Sequence, residues 1–306
     1  MLTLCTIPRA FHGHFNIIQR NAIRSWTLLH PDVEVILFGC DEGTAELAAE
    51  LGVRHEPDVA HNQFGVPMIN SLFDRSQELA THDLICYVHA DIVLMSDFGR
   101  AIKQADAFSS PFLMVGQRWD VDVIKSIDFD GDWETALREF SAQNGVPHAI
   151  TGIDYLVFRR GLWGTLPPFV LGRPAWDNWM IYRARKVGAA VIDASLGVTA
   201  VHQNHGYAHQ AGGVKALREG VDAQHNHRLT GSPRHLFTLR DATHQLTPLT
   251  IKRAATLWHL VRQLETIDLF RPRLRWPQTL LLQIIKLSTP LRHPLKLVTM
   301  QPNSMQ

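Results

Sequence analysis

Short apolar runs alternate with amphipathic stretches along the first part of the chain. Residues 2–7 (LTLCTI) and 33–38 (VEVILF) are compact apolar runs rich in β-branched side chains, which is typical of buried strands. Between them, in HFNIIQRNAIRSWTLL (14–29), apolar residues recur at the three- to four-residue spacing of a helix. The pattern therefore predicts a strand–helix–strand unit at the start of the chain.

The same alternation continues to about residue 202. We predict further helices at about 43–51, 67–80 and 177–188, and further strands at 53–56, 84–90, 112–118, 155–160, 189–194 and 197–202. Strands that alternate with helices form a mostly parallel central sheet whose two faces are covered by helices. The predicted fold class is therefore α/β, with a helical extension at the C-terminus.

Composition and charge restrict the function little, except near the C-terminus. The 306 residues are 45% hydrophobic, enough for a substantial core, and the formal net charge of +1 gives no reason to expect a nucleic-acid partner. Residues 250–299 contain nine Lys and Arg but only two Asp and Glu, so their formal net charge is +7. The rest of the chain then has a net charge of −6. We predict three parts: an α/β domain over 1–210, a His-containing loop or linker over 211–249, and a basic amphipathic helical extension over 250–306.

The expected location follows from the cysteines and from the apolar runs. Cys5, Cys40 and Cys86 lack the spacing of a disulfide or metal framework, which indicates reduced core thiols. The N-terminus shows no signal peptide, and no run reaches the roughly 20 apolar residues of a spanning helix. We therefore expect a cytoplasmic protein. Its extension either packs on the α/β domain or holds it at the inner face of a membrane, because cationic and apolar faces together bind anionic headgroups.

Polar side chains follow three of the predicted strands at the point where each strand ends. Thr6 and Arg9 follow the first strand, Asp41 the second, and His89 and Asp91 the fourth. In such sheets ligands bind beyond the carboxyl ends of the strands. Asp41 could also be an ordinary turn residue, and Arg9 a solvated loop charge. Asp91 is flanked by apolar runs, where an unpaired carboxylate would be costly to bury, so we expect it to contact a metal or a substrate.

The segment ELATHDLICYVHADIVL (78–94) resembles the helix, apolar strand and Asp-x-Asp motif of nucleotide-sugar-dependent glycosyltransferases of GT-A type, family-2-like members included. The resemblance covers roughly residues 1–210 and implies a Rossmann-like GT-A fold. It implies that Asp91 binds the divalent cation, Mn²⁺ or Mg²⁺, that bridges the two phosphates of the donor. His89 replaces the first Asp of the motif. Arg75, in the preceding helix, matches a basic group near the donor phosphates, and Thr6, Arg9 and Asp41 lie where the family holds the nucleotide.

The second half of the chain supplies residues that match the acceptor side of this family. Asp177, in GRPAWDNWM, matches the carboxylate that faces the acceptor and would act as the catalytic base, although an Asp at the start of a helix is also a good cap. Trp176 could stack on a sugar ring. Asp154 and Tyr155, in TGIDYLVF, could line the acceptor pocket, with core packing as the alternative for Tyr155.

Three histidines follow the last predicted strand in AVHQNHGYAH (200–209). In GT-A enzymes a His at this place often completes the coordination of the cation, so the resemblance implies His202 as the first choice of metal ligand and His205 as the second. A zinc site built from His202, His205 and His209 alone is a minor alternative.

The resemblance thus implies a metal-dependent transfer of a sugar from a nucleoside diphosphate to a hydroxyl of a glycan or lipid-linked acceptor in the cell envelope. Two alternatives stay open. The same His and Asp residues could serve a metal-dependent hydrolase, or the chain could be a carbohydrate-binding protein without catalysis. The phosphate-binding loop of P-loop nucleotidases and the glycine pattern of dinucleotide folds are both absent after the first strand, which reads TIPRAF.

Overall fold

The computed structural model describes residues 2–206 and 213–274. Over these residues the helices are α1 (Gly13–Thr27), α2 (Thr44–Leu51), α3 (Ile69–Leu79), α4 (Ser96–Asp106), α5 (Trp133–Asn144), α6 (Trp176–Lys186), α7 (Gly213–Glu219), α8 (Val221–Leu229) and α9 (Leu257–Phe270). The strands are β1 (Leu2–Thr6), β2 (Glu34–Phe38), β3 (Arg54–Glu56), β4 (Leu84–Val88), β5 (Ile92–Val93), β6 (Phe112–Val115), β7 (Arg118–Val121), β8 (Val146–Pro147), β9 (Tyr155–Arg159), β10 (Ala190–Asp193), β11 (Ala200–Gln203), β12 (His244–Leu246) and β13 (Ile251–Arg253).

The centre of the fold is a mixed sheet of nine strands in the order β13-β12-β10-β6-β9-β4-β1-β2-β3. Neighbouring strands of this sheet pair in parallel, except that β9 is antiparallel to β4 and β6, and β13 is antiparallel to β12. The predicted α/β class, with a large and mostly parallel sheet, is confirmed.

Apolar side chains cover both faces of this sheet because the inner strands are largely apolar, and β4 and β6 are apolar along their whole length. On one face Leu84, Cys86 and Val88 of β4 share a buried core with Trp26 of α1 and Phe98 of α4. On the other face the next residues along the strand point to α3 and α6. A strand buried on both faces has a continuous apolar run rather than an alternating one.

An aromatic cluster fills the second face. Phe73 of α3 lies 5.5 Å from Tyr87 and 5.6 Å from Phe158 between ring centroids, and Trp176 of α6 lies 5.5 Å from Tyr87. This packing fixes α6 against the carboxyl end of β4, where the sequence places the candidate ligands.

A second, smaller sheet was not predicted as a separate unit. It has the order β5-β11-β7-β8, with β11 antiparallel to β5 and parallel to β7. The predicted strand 112–118 is in fact two elements, because Gly116 and Gln117 separate β6 of the main sheet from β7 of the small one. The last predicted strand, 197–202, corresponds to β11 and also belongs to this small sheet.

The segment 211–249, for which we expected a loop or linker, carries regular structure over its described residues. It contains α7, α8 and two short 3₁₀ helices, and its β12 extends the main sheet by parallel pairing with β10. The polar, His-rich composition of this segment concealed those elements, because their stability comes from pairing and packing rather than from apolar periodicity.

The chain divides into two compact units, residues 1–254 and residues 255–306. In the second unit the structure describes α9, whose first turn is capped by the Thr256 side chain, and a 3₁₀ helix at Pro272–Leu274. The rest of the predicted extension, from 275 on, lies outside the described residues, as does His209. None of the described helices is long and apolar enough to cross a membrane.

Candidate active site

A cleft of about 560 Å³ opens at the carboxyl end of the main sheet, within the first unit. It collects side chains from the ends of β1, β2 and β4, from β7 and β11, and from the start of α6. Nine of the residues singled out in the sequence line it: Arg9, Asp41, His89, Asp91, Asp154, Trp176, Asp177, His202 and His205.

Strand pairing brings the histidines to Asp91. The short strand β5 begins directly after Asp91 and runs antiparallel to β11, with His202 opposite Ile92. The backbone N–H of Gln203 donates to the Asp91 carbonyl at 3.2 Å, which ties the two segments together. His202 therefore lies within β11, rather than after it, and His205 lies in the following loop.

Asp91, His202 and His205 form a compact cluster of possible metal ligands. One ligand atom from each residue lies within 4.8 Å of the others. Nε2 of His205 is 3.1 Å and Nε2 of His202 is 3.6 Å from Oδ2 of Asp91. Two imidazoles and one carboxylate are suitable ligands for a divalent transition metal and leave other coordination positions open.

The environment of Asp91 also fits a cation. Its Oδ1 is buried and has no hydrogen-bond partner among the described residues, an arrangement that costs free energy unless a ligand compensates it. Burial would raise the pKa of this carboxyl, but His202, His205 and His89 lower it below its usual range. Asp91 is therefore held ionised at neutral pH, as metal binding requires.

His89 contacts a buried ionic network rather than the metal cluster. Its Nδ1 lies 3.0 Å from Oδ1 of Asp154, which also pairs with Nη1 of Arg118. Asp154 is 3% exposed. Burial would raise the pKa of Asp154, but Arg118 and His89 lower it. These three residues form a charged wall of the cleft beside the cluster.

Asp177 lies on α6, at the second position of the helix. The N-cap is Ala175, with φ of 86°, and the Asp177 side chain accepts from the next backbone N–H, that of Asn178, at 2.9 Å. Asp177 is thus not at the N-cap position, although its side chain accepts from one free N–H of the first turn. Ala175 is the single non-glycine residue with positive φ over the described ranges, a strained conformation of the kind found at functional sites.

Burial raises the pKa of Asp177 to about 6, with the negative charge of Asp154 adding to the effect. A carboxylate with this pKa is suited to accept a proton near neutral pH. Trp176 precedes it and lines the cleft, but it is only 3% exposed, so it supports the floor and offers little surface for stacking.

Three of the predicted site residues do not line the cleft. Thr6 is fully buried within β1, and its Oγ1 faces the interior. Arg75 pairs with Glu56 at 3.1 Å and Glu78 at 2.7 Å, so its charge is already compensated. In this structure neither Thr6 nor Arg75 lines the cleft in which we expected both to contact the donor.

Tyr155 is wrong as an acceptor contact. It is fully buried, its ring meets Phe98 at 5.8 Å, and its hydroxyl is so close to Gly116 that a Cβ there would lie 2.0 Å away. Successive residues of a strand point to opposite faces, so Tyr155 enters the core that underlies the sheet while Asp154 turns to the cleft.

The cleft also contains residues that the sequence did not reveal. Arg118 lines it, and Asp120, on the same strand, contacts His202 behind it. Their i, i+2 spacing in QRWD was the available signal, because it places two charges on one face of a strand. Arg173 and Arg218 line the cleft as well, from the loop before α6 and from α7.

No family model matches the chain, and no curated protein matches it. Among solved structures, the chain is similar to glycosyltransferases, the class to which the sequence resemblance points. Glucosyl-3-phosphoglycerate synthase from Mycobacterium tuberculosis, in complex with Mn²⁺, UDP and phosphoglyceric acid, has a TM-score of 0.45 and 15% identity, covering 76% of this chain and 79% of that one.

Two further solved structures hold nucleotide sugars. S. aureus TarS 1-349 in complex with UDP-GlcNAc has a TM-score of 0.45 and 12% identity, covering 67% of this chain and 59% of that one. The mannosyltransferase PcManGT from Pyrobaculum calidifontis, in complex with GDP-Man and Mn²⁺, has a TM-score of 0.39 and 14% identity, covering 66% and 56%. Similarity at this level does not define an activity, which must be sought in the cleft itself.

Proposed function

We propose that the protein is a glycosyltransferase of hexosyltransferase type, which moves a sugar from a nucleoside-diphosphate sugar to an acceptor hydroxyl with the help of Mn²⁺ or Mg²⁺. One observation carries the proposal: a cluster suited to a divalent cation and a carboxylate with a pKa near 6 line the same cleft at the carboxyl end of the sheet. In an inverting transfer a base takes the proton of the acceptor hydroxyl, and a bound cation can stabilise the diphosphate as it leaves.

On the donor side, Asp91, His202 and His205 would hold the cation. The bound cation would supply positive charge to the diphosphate as it leaves. Arg9 and Asp41 line the cleft near the ends of β1 and β2, where they would contact the nucleotide. His89 would border the donor sugar, and Asp154, which pairs with it, would face the acceptor.

On the acceptor side, Asp177 would remove the proton of the attacking hydroxyl. A base works best when its pKa is close to the working pH, and burial brings Asp177 to that range. Trp176 would form the floor beneath the acceptor. We propose a glycan or a lipid-linked sugar of the cell envelope as the acceptor, since such a substrate presents the hydroxyl groups that Asp177 would deprotonate.

The second unit supports a proposal about location. Leu257 and Trp258, in the first turn of α9, are 71% and 61% exposed. Exposed apolar side chains in a segment of net positive charge are typical of contact with anionic lipid surfaces. We propose a cytoplasmic protein that binds the inner face of the membrane through residues 255–306.

The decisive experiment offers the purified full chain a panel of nucleoside-diphosphate sugars with Mn²⁺ or Mg²⁺, with and without glycan acceptors, and follows release of the nucleoside diphosphate and formation of a glycoside. Metal-dependent release that acceptors accelerate, together with a new glycoside, supports the transferase. A metal-dependent hydrolase would use the same cluster to activate water, so it would release products at a rate that acceptors do not change. A carbohydrate-binding protein would release nothing.

A further inference from the structure

Asp120 lies behind His202, on the side away from Asp91. It belongs to β7, which pairs in parallel with β11, and the register sets Asp120 directly beside His202. Neighbouring residues at one level of a sheet present their side chains on the same face. The small sheet thus delivers a carboxylate and an imidazole as a pair.

The two nitrogens of His202 face different carboxylates. Nδ1 lies 3.1 Å from Oδ1 of Asp120, and Nε2 lies 3.6 Å from Oδ2 of Asp91. Nδ1 is buried and has no other partner in the part of the chain that the structure describes. At 3.1 Å the two groups are close enough for an ion pair, although the contact is not a well-aligned hydrogen bond. A carboxylate at Nδ1 keeps the proton there and leaves the lone pair of Nε2 for a metal.

Both carboxylate oxygens of Asp120 contact side chains other than His202. Nε of Arg118 donates to Oδ1 at 2.8 Å, and Nδ1 of His148 lies 2.5 Å from Oδ2. Arg118 is fixed in turn by the buried Asp154. The carboxylate that faces His202 therefore cannot turn away without breaking two other contacts.

We infer that Asp120 is a positioning residue, which holds His202 with Nε2 directed to Asp91 and so completes the divalent-cation site. The inference rests on the metal site of the proposed function, although it requires no particular sugar or nucleotide. Outer carboxylates of this kind typically contribute about 10–100-fold to metal affinity.

The test measures Mn²⁺ binding to the nucleotide-free full chain by electron paramagnetic resonance, where bound Mn²⁺ loses its free-ion signal. We expect Asp120→Ala to bind Mn²⁺ about 10–100-fold more weakly than wild type. Asp120→Asn keeps an oxygen that can accept from Nδ1 but lacks the charge. Its Mn²⁺ affinity should therefore lie between those of wild type and Asp120→Ala, at least about threefold below wild type. Asp130→Asn, which removes a carboxylate from the exposed loop before α5, is the charge-matched control and should bind as wild type does.

The Co²⁺ form supplies a readout that a general loss of stability would not change. Because Asp120 orients a ligand, the visible absorption bands of bound Co²⁺ should shift in Asp120→Asn and stay unchanged in Asp130→Asn. Unchanged affinity and unchanged bands in both Asp120 variants would overturn the inference, and so would an equal loss in Asp130→Asn. If Asp120→Ala does not fold, Asp120→Asn decides alone.

The outcomes separate this inference from the proposed function. Wild type that binds no Mn²⁺ contradicts both the metal site and the role of Asp120. If wild type binds Mn²⁺ and the Asp120 variants bind it more weakly, the role of Asp120 is supported. If that same wild type binds no nucleoside-diphosphate sugar, the proposed glycosyltransferase activity is contradicted.

Discussion

Nε2 of His205 and Oδ2 of Asp91 lie 3.1 Å apart, although 114 positions separate the two residues in the chain. The contact exists because β5 starts immediately after Asp91 and pairs with β11, which ends just before the loop of His205. Sheet pairing fixes Asp91 beside His202, and His205 reaches Asp91 from the loop that follows β11. The cluster of Asp91, His202 and His205 is thus a preorganised site.

The two histidines of the cluster should contribute comparably to metal binding. We expect His202→Ala and His205→Ala each to weaken Mn²⁺ binding by more than about 100-fold, because a direct ligand matters more than the 10–100-fold of an outer partner. Isothermal titration of the nucleotide-free protein measures the effect. His30→Ala, on the surface beside Asp32, is the control. Normal affinity in His205→Ala would reduce the site to Asp91 and His202.

The charge of Asp154 should contribute to the free energy of unfolding, and this contribution should depend on pH. The pKa of Asp154 is lowered in the fold from a usual value of 3.8, because Arg118 and His89 outweigh burial. A carboxyl with a lowered pKa stabilises the fold above its unfolded pKa, and that contribution is lost as the pH falls through the folded value. Asp154→Asn should therefore cost about 3 kcal/mol at pH 7, the typical effect of breaking a buried ion pair, and progressively less below pH 4.

Urea denaturation at pH 7 and at pH 3 measures this difference in the free energy of unfolding. Asp83→Asn, at an exposed ion pair with Arg159, serves as the control and should have little effect at either pH. An equal cost of Asp154→Asn at both pH values would show that its charge is unimportant.

The apolar pattern predicted most of the main sheet, because its inner strands are continuous apolar runs bounded by polar turns. Asp91 and His202 could be proposed because a family motif and a strand end both indicated them, and Asp177 because a family motif and a helix start did. The pattern missed the small sheet, since β5 has two residues and β7 carries Arg118 and Asp120 instead of apolar side chains. The pattern could not show that Asp154 faces the cleft while Tyr155 faces the core. The direction of a strand residue depends on register, which a single sequence does not specify.

Asp177→Asn distinguishes a general base from a structural carboxylate. Asn cannot take the proton of the acceptor, so transfer should fall by about 10²–10⁴-fold. The wild-type rate should decline as the pH falls below about 6, where Asp177 becomes protonated. A steady-state assay with donor and acceptor, recorded as a function of pH, tests both expectations.

Asp177→Asn should lower the activity without lowering the stability of the fold at neutral pH. A carboxyl with a raised pKa favours the fold when protonated, and this contribution is lost as the pH rises through about 6. The melting temperature of Asp177→Asn at pH 7.5 should accordingly equal or exceed that of wild type. Asp132→Asn, at the N-cap of α5, is the control and should leave transfer unchanged. Near-normal transfer by Asp177→Asn would exclude Asp177 as the base.

Membrane contact through α9 can be tested without truncation. Replacing Leu257 and Trp258 together by Ser removes two exposed apolar side chains and leaves all charges in place. We expect the double variant to sediment less with anionic vesicles than wild type does, and to cleave the donor at the wild-type rate. Leu249→Ser, at a 90% exposed apolar residue of the first unit, is the control. Equal sedimentation of all three proteins would argue against this contact.

The most direct test of the account is calorimetric binding of a nucleoside-diphosphate sugar to wild type and to Asp91→Asn, with and without Mn²⁺. Asp91 belongs to the metal cluster, and Asn removes its charge while preserving its size. We predict that Mn²⁺ strengthens donor binding to wild type at least about tenfold, in line with the effect of metal ligation, and that Asp91→Asn abolishes this enhancement while Asp83→Asn retains it. Donor binding by wild type that is absent, or that is equally metal-dependent in Asp91→Asn, would contradict the proposal that this cleft is the donor site of a metal-dependent glycosyltransferase.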